Sequence, residues 1–188
     1  MDGDAGTGRL GKIEFLAMNN PVRRLLMKYV EFRIFEKLLD SNNIDLAGKV
    51  VLDAACGSGY STELIMNRFR PSRLMAFDLM PEQIRLARRR RISADFFVGD
   101  MTNLDLQDAD VDAVFIFGAL HHVPNWLEAV QELTRVLRRD GVLLVEEPHY
   151  KLGWSELESG IENCGLTIIG KQTFCLGYFH SYLCKKEQ

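Results

Sequence analysis

Residues 50–60, Val-Val-Leu-Asp-Ala-Ala-Cys-Gly-Ser-Gly-Tyr, constrain the fold of this chain more than any other stretch. Val50, Val51 and Leu52 form a continuous apolar run, the pattern of a parallel strand covered on both faces. Gly57 and Gly59 permit a sharp turn and a close backbone approach to a ligand, where a Cβ would collide. Residues 61–69 then carry Leu64, Ile65 and Phe69 at helical spacing, so the free N–H groups of a helix start point back at the turn. A strand, a glycine turn and a helix N-terminus make a nucleotide-type site.

The dinucleotide fingerprint calls for a third small residue three positions after the second glycine, and Thr62 stands there. Asp53 puts an acid at the C-terminal end of the strand, where it would repel a pyrophosphate and attract an ammonium or sulfonium cation. That sign favours S-adenosylmethionine over NAD. The Asp-x-x-Cys-Gly-Ser-Gly run resembles the first motif of the Rossmann-like (class I) S-adenosylmethionine-dependent methyltransferases, and the Leu120-His121-His122 run resembles one carried by their small-molecule and lipid branch. Many members have Gly where this chain has Ala55. The resemblance implies cofactor contacts from Asp53, Ala54, Ala55, Gly57 and Gly59, and covers about residues 48–185.

A chain of 188 residues with 47% hydrophobic content supports one domain with a substantial core. Residues 1–12 read as a flexible tail, 13–47 as a helical extension and 48–185 as the Rossmann-like core. The net charge of −3 argues against a dedicated nucleic-acid binder. Cys56, Cys164, Cys175 and Cys184 form no C-x-x-C pair and have no histidine at ligand spacing, so no metal is expected. No stretch reads as a signal peptide or a membrane span, and the expected location is the cytoplasm.

Asn20-Pro21 is a helix-start signal, and Val22, Leu25, Leu26, Tyr29, Phe32, Phe35, Leu38 and Leu39 give an amphipathic helix to about residue 41. Arg23, Arg24, Lys28 and Arg33 then form its wet face. Strands at 74–77, 96–98, 111–117 and 142–145 alternate with helices at 81–90 and 124–138, which implies a parallel sheet with helices on both faces. After a helix at 154–163, strands at 166–174 and 178–184 follow with no helix between them and should pair antiparallel. By resemblance the sheet is seven-stranded, mostly parallel and ordered 3-2-1-4-5-7-6, with its last strand antiparallel.

Asp78 ends the second strand, where an acid accepts ribose hydroxyls, with Leu79 beside it; a helix cap is the plainer role. The resemblance implies that Asp100 accepts from the adenine amino group, that Met101 packs on the ring, and that Phe117 and Gly118 line the methionine end. His122, Glu147 and His149 are the candidate catalytic residues, since each leaves a strand at the sheet edge that forms the crevice. Glu146 is equally suited to pairing with an arginine, and one histidine of the His121-His122 pair to bracing its loop. The chain has no room for a lid after the fifth strand, so residues 13–20 are expected to close over the site, and Phe15, Met18, Asn19, Tyr150, Tyr178 and His180 are candidate walls. A partner subunit in a homodimer is another possible cover.

The expected activity is in-line transfer of the sulfonium methyl group to a small-molecule acceptor. A non-catalytic cofactor-binding subunit is the alternative. A nicotinamide oxidoreductase is disfavoured by the absent third glycine.

Overall fold

The computed structural model describes residues 20–149 and 152–187. Seven strands form one sheet in the order β3-β2-β1-β4-β5-β7-β6, as expected. They are β1 (Val50–Ala54), β2 (Arg73–Asp78), β3 (Asp95–Val98), β4 (Val111–Phe117), β5 (Leu137–Pro148), β6 (Leu166–Phe174) and β7 (Phe179–Lys186). The first five pair in parallel, and β7 runs antiparallel to both β5 and β6. The crossovers from β1 to β2, β2 to β3 and β4 to β5 each carry a helix that covers a face, whereas residues 99–110 join β3 to β4 without one.

Alternation along the strands sorts the core into two layers. Leu52, Ile116, Leu143 and Val145 pack under α4 (Trp126–Val136) and α5 (Trp154–Asn163). Val51, Phe115, Leu144 and Leu183 face α2 (Tyr60–Phe69) and the first helix. α3 (Pro81–Arg88) packs Ile84 and Ala87 onto Ala76 and Phe96.

The first helix, α1, departs from its expected phase. It runs as Pro21–Leu26, widens into a π-turn over Met27–Glu31, and resumes as Phe32–Ser41. The Phe32 N–H reaches back five residues to the Met27 carbonyl. The extra residue turns Leu25 and Tyr29 outward, where they are 55% and 60% exposed, although the apolar stripe placed them inside. Glu31 turns inward to 1% exposure and pairs with Arg23, so Arg23 leaves the wet face to which the spacing assigned it.

β5 also begins earlier than its apolar run suggested. Leu137 already pairs with Val111, and a bulge with Asp140 at φ 62° intervenes before Val142 pairs with Ala113. The expected helix to residue 138 therefore stops at Val136. The expectations for residues 1–12, for 13–19 as a lid, and for Phe15, Met18, Asn19 and Tyr150 as walls lie outside the described residues. No helix among the described residues is long and apolar enough to cross a membrane.

Candidate functional site

A cavity of about 330 Å³ opens at the C-terminal ends of β1 to β4. Its floor is the turn after β1, where Ala55, Gly57 and Gly59 all take left-handed backbone angles of φ 55°, 53° and 79°. Only Gly adopts such angles without strain, which accounts for the family's preference for Gly at the Ala55 position. The two glycines serve different ends. A Cβ on Gly57 would meet nothing within 4 Å, and Gly57 lines the cavity. A Cβ on Gly59 would sit 2.9 Å from the Ala87 side chain of α3, so Gly59 is there for packing and is not in the cavity wall.

Asp53 and Ala54 are not in the wall either. Alternation on β1 sends Ala54 into the core and Asp53 towards α2, where its Oδ2 accepts hydrogen bonds from Ser61 Oγ at 2.7 Å and Thr62 Oγ1 at 2.6 Å. Thr62, which departs from the dinucleotide pattern, thus clamps the helix start to the strand. Burial lifts the Asp53 carboxyl to about 7; the two hydroxyl bonds oppose that rise, and the charge of Asp78 adds to it. The cation attraction expected of Asp53 would have to act from beneath the turn rather than from the wall.

The wall acids are Asp78 and Asp100. Asp78 accepts the Gly57 N–H at Oδ2 and the Met80 N–H at Oδ1, both at 2.9 Å, so it fixes the glycine turn and the entry to α3 together. Burial pushes its carboxyl up, and the two amide bonds hold it down. Each carboxylate oxygen has a second lone pair, so both can still accept a hydroxyl. Asp100 accepts the Thr102 N–H and Oγ1 at one oxygen only. Leu79, Met101 and Gly118 join them in the wall. Gln83 is a wall residue that sequence reading passed over; its only sequence signal is its place beside Ile84 on the inward side of α3.

Phe117 is absent from that wall. It faces the α1 layer, with its ring centroid 4.9 Å from that of Phe35, because β4 alternation gives the cavity to Gly118 instead.

Of the three candidate catalytic residues, His122 alone lines the cavity. Glu147 is 2% exposed and accepts the Ala119 N–H at 2.9 Å, the Leu120 N–H at 2.7 Å and a bond from His121 Nδ1 at 2.6 Å. A carboxylate so engaged braces the loop after β4. His149 donates its backbone N–H to the Tyr178 carbonyl and sets its ring edge-on to Trp154, away from the cavity wall. No group of three or more His, Cys, Asp or Glu among the described residues is arranged to hold a metal.

A glycine turn with acids at the two neighbouring strand ends accompanies a match of residues 52–145 to the family model described as a methyltransferase domain. The chain belongs to that family. It is 33% identical over 106 residues to the phthiotriol/phenolphthiotriol dimycocerosates methyltransferase 1 of Mycobacterium ulcerans, covering 55% of this chain and 39% of that protein. It is 31% identical over 140 residues to the malonyl-[acyl-carrier protein] O-methyltransferase of Serratia marcescens, covering 71% and 54%. This methyltransferase-family chain therefore spans about half or less of the length of these curated relatives. A solved SAM-dependent methyltransferase from Aquifex aeolicus superimposes with a TM-score of 0.77 at 16% identity over 95% of this chain and all of that one, and shares the fold.

Proposed function

We propose that this chain transfers a methyl group from S-adenosylmethionine to a small-molecule acceptor. The supporting observation is that the turn at Gly57, Asp78 and Asp100 converge on one cavity from three successive strand ends. Their chemistry fits the cofactor. Gly57 leaves open space for a backbone approach, Asp78 has lone pairs for a ribose diol, and Asp100 has a free oxygen for an exocyclic amine. Met101, buried beside Asp100, offers an apolar surface to a flat ring.

The cofactor, when bound, supplies an electrophilic methyl group on a sulfonium sulfur. The chain's own contribution is to position the reactants and exclude water; removing translational freedom in this way supplies on the order of 7–11 kcal/mol in well-oriented reactions. Named acceptors of the relatives are acyl or lipid molecules, which supports a lipid-like acceptor here. A nucleic-acid acceptor is disfavoured by the net negative charge. The proposal includes work in the cytoplasm and, from the exposed Leu25 and Tyr29 on α1, pairing with a second copy.

Titration calorimetry with S-adenosylmethionine, its demethylated product and NAD tests the cofactor assignment. Binding of the first two at micromolar levels without NAD supports it; NAD binding alone overturns it. Incubating cell extract with the protein and labelled-methyl cofactor, followed by mass spectrometry, identifies the acceptor. A cofactor-binding subunit without turnover is the second reading. It is favoured by the full engagement of Glu147 as a brace, and absence of any labelled product would select it.

A further inference from the structure

Beneath α1, at the same end of the sheet, lies a second set of polar groups that the cofactor assignment does not use. Glu146 on β5 and Ser181 on β7 are register partners, so their side chains share the α1 face. Both are 0% exposed. Among the described residues, neither carboxylate oxygen of Glu146 nor the hydroxyl of Ser181 has a hydrogen-bond partner. Above them the π-turn carries Glu31, one of whose oxygens pairs with Arg23 while Oε2 has no partner. Burial lifts the Glu146 carboxyl well above the usual range; the charges of Glu31 and Glu147 add to this, and Arg23 opposes it.

Buried polar atoms are bonded in about nine cases out of ten, and a buried acid with neither oxygen bonded is costly to keep. Four such atoms at one sheet end, from Glu146, Ser181 and Glu31, have no partner among the described residues and can receive a ligand's polar group. The cluster adjoins the cavity. A Cβ on Gly118, which lines the cavity, would lie 4.0 Å from Glu146 Oε1, so the acid stands directly behind the wall at the β4 end. Phe117, the register partner of Glu146 on β4, stacks with Phe32 and supplies an apolar side to the same place.

We propose that Glu146, Ser181 and Glu31 hold the polar head group of the methyl acceptor, and that they select a head group bearing O–H or N–H donors over a carboxylate. This rests on the methyl-transfer reading above. An ionised acid only accepts, and a protonated one keeps acceptor lone pairs beside its single O–H, so the two acids present mainly acceptors; Ser181 can accept as well as donate, and an incoming alcohol or amine satisfies them. An incoming carboxylate would face two acids and find the serine hydroxyl as the unbonded donor beside them. The relatives include both an alcohol-named and two acyl-named methyltransferases, and the cluster sides with the alcohol-like class.

Hexylamine, hexanol and hexanoate serve as probes, read by amide chemical shifts of the isotope-labelled full chain. The amine and the alcohol are expected to shift Gly118, Glu146 and Ser181, with hexanoate binding at least tenfold more weakly. Glu146→Leu should weaken the amine response at least tenfold, while cofactor binding by calorimetry stays within threefold and the melting temperature holds or rises. Ser181→Ala, a smaller change, should weaken it several-fold. Hexanoate binding as tightly as the amine, an unchanged amine response in both variants, or no shift with either donor overturns the proposal. If the amine binds as expected and the parent fails to bind S-adenosylmethionine, the methyl-transfer reading alone fails and the cluster stands as a head-group site.

Discussion

Gly59 and Gly57 lie two residues apart in one turn, yet replacing each by Ala should damage different properties. At Gly59 the new Cβ would lie 2.9 Å from the Ala87 side chain and 3.2 Å from its Cα, and φ is 79°. The left-handed angle costs roughly 1–2 kcal/mol for an L side chain. Relieving the clash by shifting α3 adds strain of the kind that overpacking a core brings, typically about 1–3 kcal/mol. Gly59→Ala should therefore lose about 2–5 kcal/mol of stability. At Gly57 no atom lies within 4 Å, so Gly57→Ala should lose only the backbone share of roughly 1–2 kcal/mol. Its methyl group, however, projects towards the cavity and should weaken S-adenosylmethionine binding at least tenfold. Urea melts and calorimetry on both variants, together with Ala87→Gly and the Gly59→Ala/Ala87→Gly double variant, separate the terms. Ala87→Gly alone should cost about 1 kcal/mol of helix propensity. The double variant should recover the clash, giving a coupling of about 1–3 kcal/mol. Coupling below about 0.5 kcal/mol would mean that the two sites are independent and would refute the packing role assigned to Gly59.

Three further outcomes are expected. Asp78→Ala should weaken cofactor binding ten- to a hundredfold by calorimetry, since each hydrogen bond to a charged acceptor is worth roughly 1.5–3 kcal/mol; unchanged affinity would leave Asp78 as a turn brace alone. Glu147→Ala should lower stability by about 2–5 kcal/mol in urea melts, because the Ala119 and Leu120 amides lose a buried acceptor; parent-like stability would refute the brace. Asp53 is held protonated to about pH 7 in the fold, whereas the unfolded chain releases that proton near pH 4, so stability should fall as pH rises from about 4 to 7 and level off above. The Asp53→Asn variant should show a shallower fall across that window by thermal melts, and an unchanged slope would refute the assignment.

Much of this molecule could be read from residue order because local and tertiary preferences agree. The boundaries of α5 and β6 follow the expected ranges 154–163 and 166–174, since Gly165 and the switch in apolar period mark them. The order of the sheet followed from the family resemblance, and the chain's last two strands from the missing helix between them. Other features depended on contacts distant in sequence. Nothing local says that Glu147 meets the loop amides 26 to 28 residues earlier, and so a brace resembled a base. The difference between Phe117 and Gly118 turns on a single step of strand alternation at the very end of β4. Asp53 was read by its charge, but its direction was set by the same alternation on β1.

The widened turn in α1 makes one helix behave as two with different phase. From Phe32 onward, Phe32, Phe35, Leu38 and Leu39 keep the stripe that closes the sheet. One residue more than an α-turn needs rotates everything before it by about a sixth to a third of a revolution relative to that stripe. Arg23 and Glu31, eight residues apart, come into contact across this join, where two α-turns would take only about seven. The C-terminal half is thereby free to vary as core packing demands, while the N-terminal half sets which side chains hang over the sheet end. A chain with the same sheet and the same cofactor turn, but without that one added residue, would present the Leu25–Tyr29 edge there and enclose an apolar chamber instead.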